Sequence, residues 1–209
     1  MTLSVEPIKP ANIIARVKGI LLTPGAEWDR IAGETTSTND LFMGYAVVLA
    51  AIGPLCGAVG SIAFGYGNIL GVAIRPPIIS VLVGAVVSYI LSLVSVFILG
   101  LIIEALAPQF GGEKDRSQAM KVAVYGSTAS WLAGVFRIMP ALAALAIVGL
   151  YSLYLIYLGL PKLMKAPQDK ALAYTGVVIL VAIVLAIVVG AVMVPIGMIG
   201  GLAGAGLAS

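Results

Sequence analysis

From Phe42 to Ile103 the chain carries one charged residue, Arg75. From Val122 to its end it carries only Arg137, Lys162, Lys165, Asp169 and Lys170. Apolar runs of this length are read as membrane-crossing segments. Between them lies Glu104 to Lys121, EALAPQFGGEKDRSQAMK, a charged island where the chain must surface, turn and re-enter the bilayer. Soluble domains carry roughly 25% charged residues; this chain has 10%, with 61% hydrophobic residues and a mean hydropathy of +1.12. The expected fold is therefore all-α: a polytopic membrane helix bundle, compact enough at 209 residues to exclude a second domain.

Five spans are expected, at about 42–64, 78–103, 119–137, 139–160 and 171–194. Residues 1–41 precede the bundle as a cytoplasmic segment, and 196–209 follow Pro195, expected to break the last helix, as a glycine-rich tail. In ANIIARVKGILL, residues 11–22, Ile13, Ile14, Val17, Ile20 and Leu21 share one face, which predicts an amphipathic helix. Such a helix lies in the membrane interface or packs on the end of the bundle, and the two are compatible. Thr23 suits an N-cap and Pro24 the first position of a second helix, on which Trp28 fits a headgroup anchor. In the first span Pro54 predicts a kink, and Gly53, Gly57 and Ser61, continued by Gly65, form a stripe of small residues. Such a stripe favours close helix packing, within the chain more than between chains. Residues 65–77 are expected as an immersed loop or a short interfacial helix.

The third span is the weakest. Lys121 and Arg137 stand sixteen residues apart, about 24 Å of helix rise, which requires snorkelling at one end or both. Its wealth of Ala, Gly, Ser and Thr suits the bundle interior. Tyr151, Tyr154 and Tyr157 recur every third residue, a pattern of packing and interfacial contact more than of a ligand path.

The basic residues alternate between loops. Lys9, Arg16, Lys18 and Arg30 precede the first span. Lys114, Arg116 and Lys121 lie between the second and third, and Lys162, Lys165 and Lys170 between the fourth and fifth. Ten basic residues thus fall on one side and two, Arg75 and Arg137, on the other. Since cytoplasmic loops carry the excess of Lys and Arg, the N-terminus and the island are expected inside and the C-terminus outside.

There is no histidine, and Cys56 is the single cysteine. Zinc sites built on His, Ser-His-Asp and Cys-His catalysis, and a disulfide framework within one chain are therefore excluded. None of the nine carboxylates sits mid-span, which argues against ion-coupled transport. No phosphate-binding loop is present, and the dispersed basic residues do not form a nucleic-acid patch. The expectations are no enzyme activity, no catalytic residue, no metal and no cofactor. Glu104, ending the second span, and Lys121, beginning the third, form a candidate ion pair across the hairpin mouth; the alternative is two independent snorkelling side chains.

Several segments together resemble the Yip (Ypt/Rab-interacting protein) family, in particular its bacterial branch. They are Arg16 to Pro24, Trp28-Asp29-Arg30-Ile31-Ala32, Tyr45 with Ile52-Gly53-Pro54-Leu55, Ala107 to Gly112, Ala119 to Tyr125, and Tyr151 to Pro161. The resemblance spans about residues 11–194. It implies five spans with a cytoplasmic N-terminus, and for eukaryotic relatives a role in vesicle traffic through Rab-type GTPases and through association with one another. Their Asp-Leu-Tyr-Gly-Pro motif aligns with Asp40-Leu41-Phe42-Met43-Gly44, which lacks the Gly-Pro pair, so GTPase binding is not carried over.

The leading expectation is a non-enzymatic protein of the bacterial inner membrane that organises a membrane or a membrane complex. Its cytoplasmic face is the expected docking surface, with Arg16, Lys18, Trp28, Asp40, Lys114, Asp115 and Arg116 as candidates. The expected partners are membrane lipids and either another protein or a second copy of the chain, not nucleic acid. The second expectation is a passive transporter or lipid-handling protein, with a groove lined by small residues and hydroxyls between the second and third spans.

Overall fold

The structure is a computed structural model that describes residues 10–69, 72–74 and 76–206. The expectations for Lys9, Arg75 and the last three residues of the tail fall outside that range. Two short helices, α1 (Pro10–Leu22) and α2 (Pro24–Gly33), precede α3 (Thr38–Phe64). A two-stranded antiparallel ribbon, β1 (Tyr66–Ile69) and β2 (Val72–Ile74), leads to α4 (Ile78–Leu106), which tightens into a 3-10 turn over Ala107–Phe110. A broken segment follows: α5 (Arg116–Gly126), α6 (Thr128–Ala133) and a 3-10 stretch, Gly134–Ile138. A second 3-10 stretch (Pro140–Leu150) runs into α7 (Tyr151–Leu163), and α8 (Gln168–Gly206) ends the described chain.

Local chemistry sets these boundaries. Ser37 caps α3 by accepting from the Asp40 amide at 3.1 Å, and Asp115 caps α5 by accepting from that of Gln118 at 3.0 Å. Gly65 (φ 76°) and Gly111 (φ 75°) end α3 and the 3-10 turn in conformations that an L side chain resists. Thr23, expected to cap α2, instead donates its hydroxyl back to Gly19 O at 3.2 Å. Pro54 has no N–H for the preceding turn, and the α-helical geometry of α3 is interrupted three residues earlier, at Ala51.

Among the described residues four helices are long and apolar enough to cross a membrane: Thr38–Phe64, Ile78–Phe110, Ala144–Leu163 and Gln168–Pro195. The expected third span is not among them, because residues 116–138 form a broken helix rather than a continuous one. They are the interior of the bundle: every residue from Ala119 to Ala129 is buried. At one end Lys121 meets the residues that follow α2. Midway the Trp131 indole N–H donates to Ser92 Oγ at 3.0 Å, and Ser152 Oγ accepts from the Ser130 amide at 2.8 Å. At the far end residues 134–138 lie against the second half of α3. The outward helices, by contrast, leave Ile79, Leu82, Val86, Ile90, Leu180, Ile187 and Val188 exposed. Around an apolar bundle, that surface meets lipid.

Two further expectations change. The helix does not break at Pro195 but continues to Gly206; a proline in an apolar helix removes one hydrogen bond without ending it. The turn after the first span is the β1–β2 ribbon, not a helix.

Candidate functional site

The polar side chains gather at the end of the bundle where α1, α2, the island and the turn after α7 meet. Helix α1 lays Ile20, fully buried, and the partly buried Ile13, Val17 and Leu21 against the core. This seating turns Arg16 inward. Its guanidinium bridges Glu27 at 2.5 Å and Glu34 at 2.6 Å, and stands 5.3 Å from the centre of the Tyr125 ring. Burial opposes this charge. The hydrogen bond to Glu34 and the nearby carboxylates outweigh it and hold the Arg16 pKa above its ordinary value.

Trp28 is not a headgroup anchor. It is wholly buried, its ring against Gly159, where a Cβ would stand 2.8 Å from the indole. It meets Tyr125 edge to face at 6.4 Å, and Tyr125 meets Tyr45 likewise at 4.8 Å. Thr128 donates its hydroxyl hydrogen to Tyr125 O, so the 2.9 Å contact with Tyr45 has the phenol as donor. The Trp28 indole N–H is buried without a partner.

The expected Glu104–Lys121 pair does not form. Glu104 accepts from Arg116 at 3.0 Å. Lys121, 1% exposed, turns the other way and donates to the backbone carbonyls of Ile31 at 3.2 Å and Glu34 at 2.5 Å. Those carbonyls lie at and beyond the end of α2, where helix C=O groups lack intrahelical partners and carry the negative end of the dipole. An ammonium is therefore well placed there. Lys162 reaches Asp29 and the Gly25 carbonyl, each at 2.7 Å, and Lys165 reaches Glu113 at 2.7 Å.

Of the seven candidate docking residues, Arg16 and Trp28 face inward and leave the surface. Asp40, half-buried, accepts from the Ser37 hydroxyl at 2.6 Å, and Asp115 is occupied as a helix cap. Lys18, Lys114 and Arg116 are exposed. Sequence reasoning did not find the Arg16–Glu27–Glu34 cluster. A signal for it existed in Arg16 and Glu27, on two consecutive short helices, and Glu34 just past the second.

Of the stripe Gly53, Gly57, Ser61, the two glycines meet residues of the 134–138 stretch within the chain, and Ser61 lines a cavity. Gly53 faces Gly134, where a Cβ would stand 2.5 Å from the Gly53 Cα, and Gly57 lies under the Arg137 side chain. Gly60, off the expected stripe, approaches more closely than Gly53 or Gly57: a Cβ there would stand 2.5 Å from Arg137 O and 2.6 Å from Ile138 O. Beside this contact a cavity of about 310 Å³ opens between α3, α4 and the 134–139 turn, with Met193 of α8 at its edge. Its lining includes Gly57, Ser61, Gly84, Ser88 and Arg137. The groove expected between the second and third spans is thus bounded by the first and second, with residues of the third closing it. Among the described residues Arg137 has no carboxylate partner, and no cluster could hold a metal ion.

A family model of the Yip1 domain matches residues 18–207. Comparison with curated proteins and with solved structures returns no match.

Proposed function

Because the chain belongs to the Yip1 family of multi-pass membrane proteins, we propose that it organises a membrane protein complex in the bacterial inner membrane through its cytoplasmic face, without catalysing a reaction. In this reading the N-terminus is cytoplasmic and the broken segment 116–138 is a fifth crossing. One observation carries it: Arg16, Lys121, Lys162 and Lys165 tie the N-terminal helices, the island and the end of α7 together, and Lys18, Lys114 and Arg116 stand exposed on the face they form. Five crossings are supported by the course of the segment. It meets residues 31–34 at Lys121 and Gly60 at Arg137, so it runs the length of the bundle alongside α3.

The test of topology is labelling of single cysteines in a Cys56→Ala background. Lys114→Cys and Gln168→Cys react from the cytoplasm, and Ile138→Cys reacts from outside. Reaction of Lys114→Cys and Ile138→Cys from the same side removes the fifth crossing. For function, the protein is purified from its own membrane and analysed by mass spectrometry. A stoichiometric protein partner lost on Lys18→Glu or Lys114→Glu supports docking, and its retention by both variants overturns it. The second reading, a lipid-handling protein, is favoured by the cavity under Arg137.

A further inference from the structure

We propose that the cavity beneath Arg137 is a binding site for an anionic phospholipid with a hydroxylated headgroup, of the phosphatidylglycerol class. The cavity lies between α3 and α4, and among the described residues its lining contains one charged group and no carboxylate. The Arg137 guanidinium lies over Gly57, where a Cβ would be 3.5 Å from its Cζ and Nε, so the glycine leaves room for the fork against the helix. Arg137 is exposed and has no carboxylate partner among the described residues, leaving its donors for an incoming anion. A guanidinium fork matches a phosphate diester by two parallel hydrogen bonds.

The hydroxyls refine the choice. Ser61 donates to Gly57 O at 2.7 Å and Ser88 to Ala85 O at 2.9 Å. Both hydrogens are committed, so each oxygen retains lone pairs and acts as an acceptor. A glycerol headgroup brings O–H donors to such oxygens. A choline or ethanolamine headgroup brings a cation to a lining whose one charge is already positive. The volume, about 310 Å³, suits a headgroup rather than a whole lipid. The acyl chains remain in the bilayer, beside the exposed Ile79, Leu82 and Val83 of α4.

This inference deepens the second reading above, and the two fail separately: retention of the lipid tests the site, and movement of lipid between vesicles tests the activity. The full chain in detergent is mixed with equal amounts of phosphatidylglycerol and phosphatidylethanolamine, and bound lipid is read by native mass spectrometry. One phosphatidylglycerol is retained preferentially. Arg137→Gln lowers its retention about tenfold or more, as expected for lost charged hydrogen bonds. Arg137→Lys keeps a substantial part of it. Gly84→Leu keeps Arg137 but fills the cavity and also releases the lipid. At Gly84 the nearest group a Cβ would meet is the flexible end of Met193, at 3.9 Å, so this variant tests the site without disturbing backbone contacts. Equal retention of both lipids, unchanged retention in Arg137→Gln and Gly84→Leu, or displacement by millimolar inorganic phosphate at constant lipid overturns the assignment. The last result would mark a site for the free anion.

Discussion

The two ends of the bundle are held by different physics. At the end bearing α1 and α2, charged side chains bind one another and backbone carbonyls: Arg16 takes two carboxylates, Lys121 takes two carbonyls, and Trp28, Tyr45 and Tyr125 fill the space between. At the other end side chains are nearly absent from the contact. Gly53 meets Gly134, and Gly60 meets the carbonyls of Arg137 and Ile138. The first end is specified by pairing, so a change there removes an interaction. The second is specified by the absence of atoms, so a change there adds a clash. Among the described residues Arg137, in the second end, has no carboxylate partner, whereas Arg16, Lys162 and Lys165 of the first each have one.

The comparison predicts its largest effect at the glycines. Gly60→Ala puts a methyl group against two backbone carbonyls, which cannot yield as a side-chain tip can. The expected loss is about 3 kcal/mol, the upper end for overpacking, read as thermal stability in detergent. Gly134→Ala, 2.5 Å from the Gly53 Cα, follows it. Gly176→Ala, with nothing within 4 Å of the added Cβ and a helical backbone, is neutral or slightly stabilising. A Gly60→Ala protein as stable as Gly176→Ala would break the account of the second end.

Next come the two arginines. Arg16→Gln leaves Glu27 and Glu34, with side chains 12% and 28% exposed, without their common partner. The expected loss is about 2 kcal/mol, between the limits for surface and buried pairs. Arg137→Gln breaks no ion pair among the described residues and is expected within about 0.5 kcal/mol of the parent in lipid-free detergent. Equal losses from the two substitutions would remove the distinction between a paired and an unpaired end.

How much of this was legible in the sequence follows from which forces leave a mark there. The crossings Thr38–Phe64, Ile78–Phe110 and Gln168–Pro195 announce themselves by uncharged length. The small residues of 119–137 pointed to the interior. The partner of Lys121 left no mark, because it is a pair of backbone carbonyls at and beyond the end of α2, which every residue type supplies alike. Glu104 lies seventeen residues before Lys121 and twelve before Arg116, its true partner, all within one island; charge counting cannot choose between them. Trp28 and Ile31 share a helix face, yet periodicity does not say whether that face meets headgroups or Tyr125. The stripe at Gly53 and Gly57 was visible, but not that Gly60 makes a tighter contact than either, since this depends on how residues 137 and 138 cross α3.

The revised pairing at the hairpin mouth carries a smaller effect. Arg116 is 61% exposed and Glu104 14%, so the coupling between Glu104→Gln and Arg116→Gln is expected below about 1 kcal/mol. Glu104→Gln and Lys121→Gln are expected to add without coupling. Coupling in the second cycle and none in the first would restore the Glu104–Lys121 bridge.

The smallest effect belongs to Lys165, which is worth measuring because charge and backbone oppose each other there. Its hydrogen bond to Glu113, with the attraction of that carboxylate, raises its pKa above the ordinary lysine value. A cation with a raised folded pKa contributes stability that is complete below its unfolded pKa and lost as pH rises through the folded one. Any difference between the parent and Lys165→Gln is therefore constant from about pH 6 to 9 and shrinks only above roughly pH 10.5. It is also small, because both side chains are about two-thirds exposed, at 67% and 64%. Meanwhile Lys165 holds φ at 50°, the left-handed region that glycine enters without a Cβ penalty. Lys165→Gly loses the ion pair but relieves the turn. It is expected to melt about 2 °C above Lys165→Gln at pH 7, with the gap unchanged in 1 M salt, because neither variant carries the ion pair. A Lys165→Gly protein that melts below Lys165→Gln would mean that the left-handed backbone does not limit the turn between α7 and α8.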